Sequence, residues 1–363
     1  MDDLDLEPVR RAVERLLPGG RLVACQPLGA EPAGALARKG GGYGQPLRLE
    51  VEGPDGARRV LVLRTASSNE FGHDRRADRA AELLLAFDTF GLLPDHVRAL
   101  DVGLLGPDGL TSLRDGGEAY LVTTYAEGRL YADDLRALAA GGRAAEAAPL
   151  DLERARALAA WLARLHRQRP ADPVAWRRAV RDLLGSGEGI FGLVDAYPPE
   201  APGAPPALLR RLEEKALDWR WRLRARSDRL RRIHGDFHPF NLVFGEGTAF
   251  TALDASRGAA GDPADDLTAL AVNYPFFALQ APGAWPRAFA PLWRACWETY
   301  LAEAGEGVLE AAPPFLAWRA LVLGCPRFYP DLPAAARRAL LEWAEGLLDR
   351  PRFDPALVEG LFP

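Results

Sequence analysis

Ile233-His234-Gly235-Asp236-Phe237-His238-Pro239-Phe240-Asn241-Leu242-Val243-Phe244 is a polar turn held between apolar ends. Asp236 and Asn241 stand five residues apart, and Leu242-Val243-Phe244 has the β-branched and aromatic character of a short strand. A second apolar run ending in an acid follows, Phe250-Thr251-Ala252-Leu253-Asp254. The two runs predict a β-hairpin around Gly245-Glu246-Gly247, which gathers a carboxylate, a carboxamide and a second carboxylate at its base. A carboxylate orients an attacking hydroxyl and accepts its proton, while an amide oxygen and a carboxylate are hard donors suited to magnesium.

Two plainer readings compete. His234, Asp236 and His238 are zinc-ligand types that alternation along a strand would put on one face, but no further His or Cys lies nearby. Asp236 or Asn241 alone is an ordinary turn residue bonding its own backbone. That explains either one, but not the loop together with Asp254 and Asp266.

An Asp followed five residues later by a metal-binding Asn is the spacing of a phosphoryl-transfer catalytic loop. His-Gly-Asp-x-His-Pro-x-Asn, then Leu253-Asp254 and Gly261-Asp262-Pro263-Ala264-Asp265-Asp266-Leu267, resembles the aminoglycoside phosphotransferase and choline kinase-like family. The likeness is specific over residues 233–270 and looser over about residues 20–170; Gly235 stands where protein kinases carry arginine. The resemblance implies Asp236 as catalytic base, Asn241 and Asp254 as magnesium ligands, and Asp266 as a buttress of the loop from a helix start. It also implies a two-lobed, protein-kinase-like α+β fold. Residues 1–126 would form a small antiparallel-sheet nucleotide-binding lobe, and residues 127–363 a larger, mainly helical catalytic and acceptor-binding lobe.

In the N-terminal part, residues 5–17 predict an amphipathic helix, and Leu22–Cys25, Leu47–Val51 and Val60–Arg64 predict strands. Between the first two strands lies Lys39-Gly40-Gly41-Gly42-Tyr43-Gly44, where Gly41, Gly42 and Gly44 would let backbone amides approach a phosphate. By the resemblance, Arg64 takes the place of the third-strand lysine and Glu82, on a helix from about Asp74 to Phe90, positions it. Leu100–Gly103 and Tyr120–Tyr125 would complete a five-stranded antiparallel sheet, and the backbone of Thr124, Tyr125 and Ala126 would read the adenine edge. An arginine is a planar fork rather than a point charge. Arg64 therefore leaves a second reading, a nucleotide-binding regulatory pseudokinase without turnover.

Further along, Ala137–Pro149 reads as a surface loop and Leu152–Arg167 as a helix, with His166 a core or helix-end histidine. Residues 170–206, rich in Pro and Gly, read as a lid or irregular packing segment, and residues 207–232 as one basic helix carrying Trp219 and Trp221. Acids mixed into that helix make it a solvated face rather than a nucleic-acid surface. The aromatic residues beyond Asp266 read as core rather than as a cage for a cationic acceptor.

A formal net charge of -5 over 363 residues argues against a general polyanion-binding surface, and 48% hydrophobic with 26% charged residues is ordinary for a soluble globular protein. Cys25, Cys296 and Cys325 lack metal-type spacing and fit a reducing compartment. Lysine occurs only at Lys39 and Lys215, an associational sign of a GC-rich coding bias. The acidic start Met1-Asp2-Asp3 is unlike a signal peptide, and no run reaches membrane-spanning length. The sequence thus predicts a cytoplasmic small-molecule kinase, monomer or homodimer. It would use Mg2+ with ATP (or GTP) on a small-molecule hydroxyl, and bind neither nucleic acid nor membrane.

Overall fold

A computed structural model of the chain describes residues 7–28, 46–106, 109–255 and 257–362. The contacts divide it into two units, Met1–Thr123 and Thr124–Pro363. The glycine-rich stretch with Lys39, Gly41, Gly42 and Gly44 lies outside the described residues.

In the first unit, helix α1 (Glu7–Leu16) precedes strands β1 (Arg21–Pro27), β2 (Leu47–Glu52) and β3 (Arg58–Leu63). The strands form an antiparallel sheet in the order β1-β2-β3, with Leu49 opposite Cys25 on one side and Leu61 on the other. Alternation along β2 turns Leu49 and Val51 to one face, where they bury against Val9 and Val13 of α1. Helix α2 (Arg76–Phe90) follows, its Asp78 carboxylate accepting the Arg75 backbone N–H at 2.9 Å. Strands β4 (Gly103–Gly106) and β5 (Gly109–Ser112) make a separate two-stranded hairpin.

The five-stranded sheet expected from the sequence is therefore not formed among the described residues. Leu104-Leu105 pair antiparallel with Leu110-Thr111, so the fourth strand starts at Gly103 instead of ending there. Residues 117–127 make no backbone hydrogen bond among the described residues, and Tyr120, Leu121, Val122 and Tyr125 are exposed. An extended run becomes a strand only by pairing, and this one finds no partner.

The second unit opens with β6 (Arg129–Leu130) and runs through helices α3 (Tyr131–Ala140), α4 (Pro149–Leu165), α5 (Pro173–Gly185), α6 (Ile190–Asp195) and α7 (Pro206–Arg224). Strands β7 (Arg231–Arg232), β8 (Leu242–Phe244), β9 (Phe250–Ala252) and β10 (Ala260–Gly261) come next. Helices α8 (Pro263–Ala271), α9 (Asn273–Gln280), α10 (Ala290–Ala304), α11 (Ala312–Gly324) and α12 (Ala334–Leu348) complete the chain. Helix α4 packs on α10, while α11 packs on both α12 and α8. One continuous core runs through them, with Leu158, Trp176, Trp219, Phe237, Tyr274, Trp297, Leu316 and Leu340 buried. Tyr274, Phe276, Trp293, Trp297, Tyr300 and Trp318 are thus core residues, as the sequence suggested, whereas Phe328 is exposed.

Three loop expectations need correction. Residues 170–206 hold two helices: the Asp172 carboxylate caps α5 by accepting the N–H groups of Val174 and Ala175 at 3.0 and 3.1 Å, and Pro173 takes the first helical position. The expected loop 137–149 is helical to Ala140 and then makes a short 3-10 turn, in keeping with the helix propensity of alanine. The long basic helix stops at Arg224, and a turn at Ser227–Arg229 sends Arg229 inward. Among the described residues no helix is long and apolar enough to cross a membrane.

Candidate active site

The loop 233–241 joins β7 to β8, and its ends are fixed by pairing. Strand β7 lies against β10, with Arg232 opposite Ala260, and β8 forms an antiparallel hairpin with β9, with Leu242 opposite Ala252. Strand β6 adds to the other edge of β8. Gly128, just before that strand, has φ +142°, where a Cβ would stand 2.2 Å from the Phe244 carbonyl oxygen.

Phe237 anchors the loop from below. It is fully buried, stacked on Trp161 with 5.1 Å between ring centroids and edge-on to His234 at 5.5 Å. From α8, the buried Asp266 carboxylate accepts the backbone N–H groups of His234 and Gly235, each at 2.7 Å. His166, the C-cap of α4, closes the network by bonding Asp266 through Nε2 at 3.1 Å and the Tyr300 hydroxyl through Nδ1 at 2.7 Å. Burial holds the His234 pKa below its ordinary value against the pull of Asp266 and Asp236, and its Nδ1 accepts the Asp236 N–H at 3.3 Å.

Helix α8 is itself firmly started. Asp262 caps it by accepting the Ala264 N–H at 2.9 Å, Pro263 opens it, and Asp265 and Asp266 fill its first turn, where the helix dipole favours negative charge. The same Asp262 carboxylate takes a two-pronged contact from buried Arg229, at 2.6 and 2.9 Å.

Asp236 and Asn241 are brought together as the spacing implied. Asn241 Nδ2 donates to the Asp236 carbonyl at 3.1 Å and lies 3.4 Å from its Oδ2, while His238 Nε2 lies 3.4 Å from the same Oδ2. The Leu253 N–H donates to the Asn241 carbonyl at 2.8 Å, which sets Asp254 one residue beyond that bond at the hairpin's base. Asp254 has φ +47°, a left-handed conformation that non-glycine residues adopt mostly as Asn or Asp. Among the described residues its carboxylate has no hydrogen-bond or ion-pair partner, and no bond is made to the Asn241 amide oxygen. The zinc alternative finds no support: among the described residues no group of three or more His, Cys, Asp or Glu could hold a metal ion.

Two arginines that the sequence reading passed over complete the site. Arg257 Nη2 donates to Asp236 Oδ1 at 2.7 Å and also bonds the Gly235 carbonyl. Arg319 of α11 reaches the same Oδ1 through Nη1 at 3.2 Å and pairs with Asp265 through Nη2. Both guanidinium groups lie on the Trp318 ring, at 4.7 and 4.1 Å from its centroid. Burial pushes the Asp236 pKa up, but the His238 hydrogen bond and the charges of Arg319 and Arg257 outweigh it and hold the carboxyl well below the usual range. Asp265 goes the other way: burial, only partly offset by Arg319 and Arg257, raises it to about 6. Arg257 had a usable signal, three residues past Asp254, and Arg319 had a clearer one as the sole charged residue of α11.

The pairing expected between Arg64 and Glu82 is corrected. Glu82 Oε2 pairs with His73 Nε2 at 3.1 Å, and the exposed Arg64, one residue past the end of β3, has no side-chain partner among the described residues. Thr124, Tyr125 and Ala126 lie in irregular backbone.

Among solved structures, the chain is similar to the amicoumacin kinase hAmiN in complex with AMP-PNP, Ca2+ and Ami, at 15% identity and a TM-score of 0.40, over 97% of each chain. It is similar to a glucosamine kinase at 18% identity and TM-score 0.36, over 99% of this chain and 96% of that one. For a choline kinase from Cryptosporidium parvum the figures are 11%, 0.34, 95% and 94%. Scores of this size carry no argument of their own. A search among curated protein sequences returns no match. The sequence model of the phosphotransferase enzyme family matches residues 40–300, well over half of the chain and all of the loop, hairpin and α8 described above. The chain belongs to the phosphotransferase enzyme family.

Proposed function

We propose that the protein transfers the γ-phosphoryl group of a nucleoside triphosphate, ATP or GTP, to a hydroxyl of a small molecule, with Asp236 as base and Asn241 and Asp254 as magnesium ligands. The observation that carries this reading is the contrast at the hairpin base. The Asp236 carboxylate is fixed by its neighbours, whereas among the described residues the Asp254 carboxylate and the Asn241 amide oxygen have no partner.

That donor set fits a hard cation. Magnesium takes one or two protein oxygens and fills its remaining positions with waters and substrate phosphates. Bound there, it would neutralise charge on the phosphate oxygens as the transferring group loosens. Asp236 does the rest. It orients the hydroxyl and takes its proton as the new P–O bond forms. Arg64 and the Lys39–Gly44 stretch as phosphate ligands, and Thr124–Ala126 as the adenine-reading backbone, rest on the resemblance alone. Glu82 has no part in the proposal. Because base and metal-type residues are all present, the binding-only alternative raised by Arg64 is not favoured.

Thermal unfolding with ATP, with and without Mg2+, tests the reading. Ligand at a hundred times its dissociation constant adds about 2.7 kcal/mol, a readable shift. The shift should require Mg2+, and Asp254→Asn should abolish that requirement together with most of the shift. An equal shift in the absence of any divalent ion would count against the metal assignment.

A further inference from the structure

Helix α11 reads Ala312-Pro-Pro-Phe-Leu-Ala-Trp-Arg-Ala-Leu-Val-Leu-Gly324, and Arg319 is its sole charge. The residue is 5% exposed, and its Nε has no hydrogen-bond partner among the described residues. Stability does not explain a cation in that position. Replacing a buried ion pair with well-packed apolar side chains is often neutral or stabilising.

The contact on Asp236 does offer an explanation. Oδ1 receives two guanidinium donors, Arg257 at 2.7 Å and Arg319 at 3.2 Å. Among the described residues, Oδ2 has only the two 3.4 Å contacts, from Asn241 Nδ2 and His238 Nε2. Rotating the carboxylate would break both charge-assisted contacts on Oδ1 together. Asp265 steadies Arg319 from its other Nη, and the Trp318 ring supports its flat face.

We propose that Arg319 is a positioning residue for phosphoryl transfer: with Arg257 it pins Oδ1 of Asp236 and so presents Oδ2 to the acceptor hydroxyl. The inference rests on the base role proposed above. Oδ2 takes the hydroxyl proton while the hydroxyl oxygen bonds to the γ-phosphorus of the nucleoside triphosphate and the bond to the departing nucleoside diphosphate breaks. Arg319 itself touches neither reactant.

The test compares Arg319→Gln, Arg319→Lys and Asp236→Asn in MgATP turnover, read as ADP release with water as acceptor, and in crystal structures, which need no turnover. Misplacing a reacting group by about 1 Å can cost about 10²-fold, and that is the fall in kcat expected for Arg319→Gln. KM for MgATP should stay within about twofold, because an interaction that serves only the transition state leaves ground-state binding alone. Arg319→Lys, which keeps the charge but not the fork, should retain more activity than Arg319→Gln, and the Asp236 carboxylate should be rotated in Arg319→Gln crystals. A folded Arg319→Gln with wild-type kcat, or with Asp236 unrotated, overturns the inference. Should Arg319→Gln fail to fold, Arg319→Lys decides on the same two readouts. Wild-type turnover in Asp236→Asn would remove the base role as well; an inactive Asp236→Asn beside a wild-type Arg319→Gln would overturn the positioning role alone.

Discussion

At Gly235 the backbone takes φ +86°, and a Cβ there would stand 2.8 Å from the Gly258 carbonyl oxygen. The same residue donates its N–H to Asp266 and offers its carbonyl to Arg257, so the strained conformation is tied at both ends. This accounts for glycine in the position where protein kinases carry arginine. Left-handed backbone costs an L-residue about 1–2 kcal/mol, and Gly235→Ala should lower stability by at least that amount in chemical denaturation. An unchanged midpoint would show that the loop relaxes freely. At this scale the sequence showed what lies close in the chain: Asp236, Asn241, Asp254 and the buttress Asp266. It marked Arg319 only as the lone charge in an apolar run and could not show its partner, since the residue reaches the loop across 83 positions. Nor could residue type reveal that Glu82 turns to His73 instead of Arg64, since both partners are chemically suitable.

Among the elements, α8 does most to hold the loop, and its start depends on one side chain. Asp262 caps the helix and pairs with Arg229, which itself also bonds the Gly307 carbonyl. Loss of a cap alone costs about 1 kcal/mol, whereas stranding one partner of a buried pair costs about 3–5 kcal/mol. Asp262→Ala should therefore lose the larger amount in urea unfolding, and a loss near the smaller figure would mean that the Arg229 pair is energetically neutral. The β8–β9 hairpin was legible because strand character and a glycine turn coincide over a few residues. Helices α5 and α6 were not: the Pro and Gly content of residues 170–206 suggests irregular backbone, although Pro173 opens one helix and Gly189 caps the other. The run 120–125 failed for the opposite reason, since its residues suit a strand but nothing among the described residues pairs with it.

Over the whole molecule, the α+β class followed from the family resemblance, and the aromatic-rich sequence of the second unit is accounted for by its large core. Family membership follows from the match over residues 40–300. The acceptor was not legible, because the same aromatics that could have formed a cage are spent on packing. What unites the second unit is that its distant parts meet at one carboxylate. The loop from β7, the segment after β9 and helix α11 all contact Asp236. Turnover of MgATP by Asp236→Asn, measured beside a thermal-shift control for nucleotide binding, asks about that carboxylate most directly. A base of this kind supplies about 10²–10⁴-fold, and turnover should fall by that factor while the nucleotide shift persists. Undiminished turnover with intact binding would contradict the assignment.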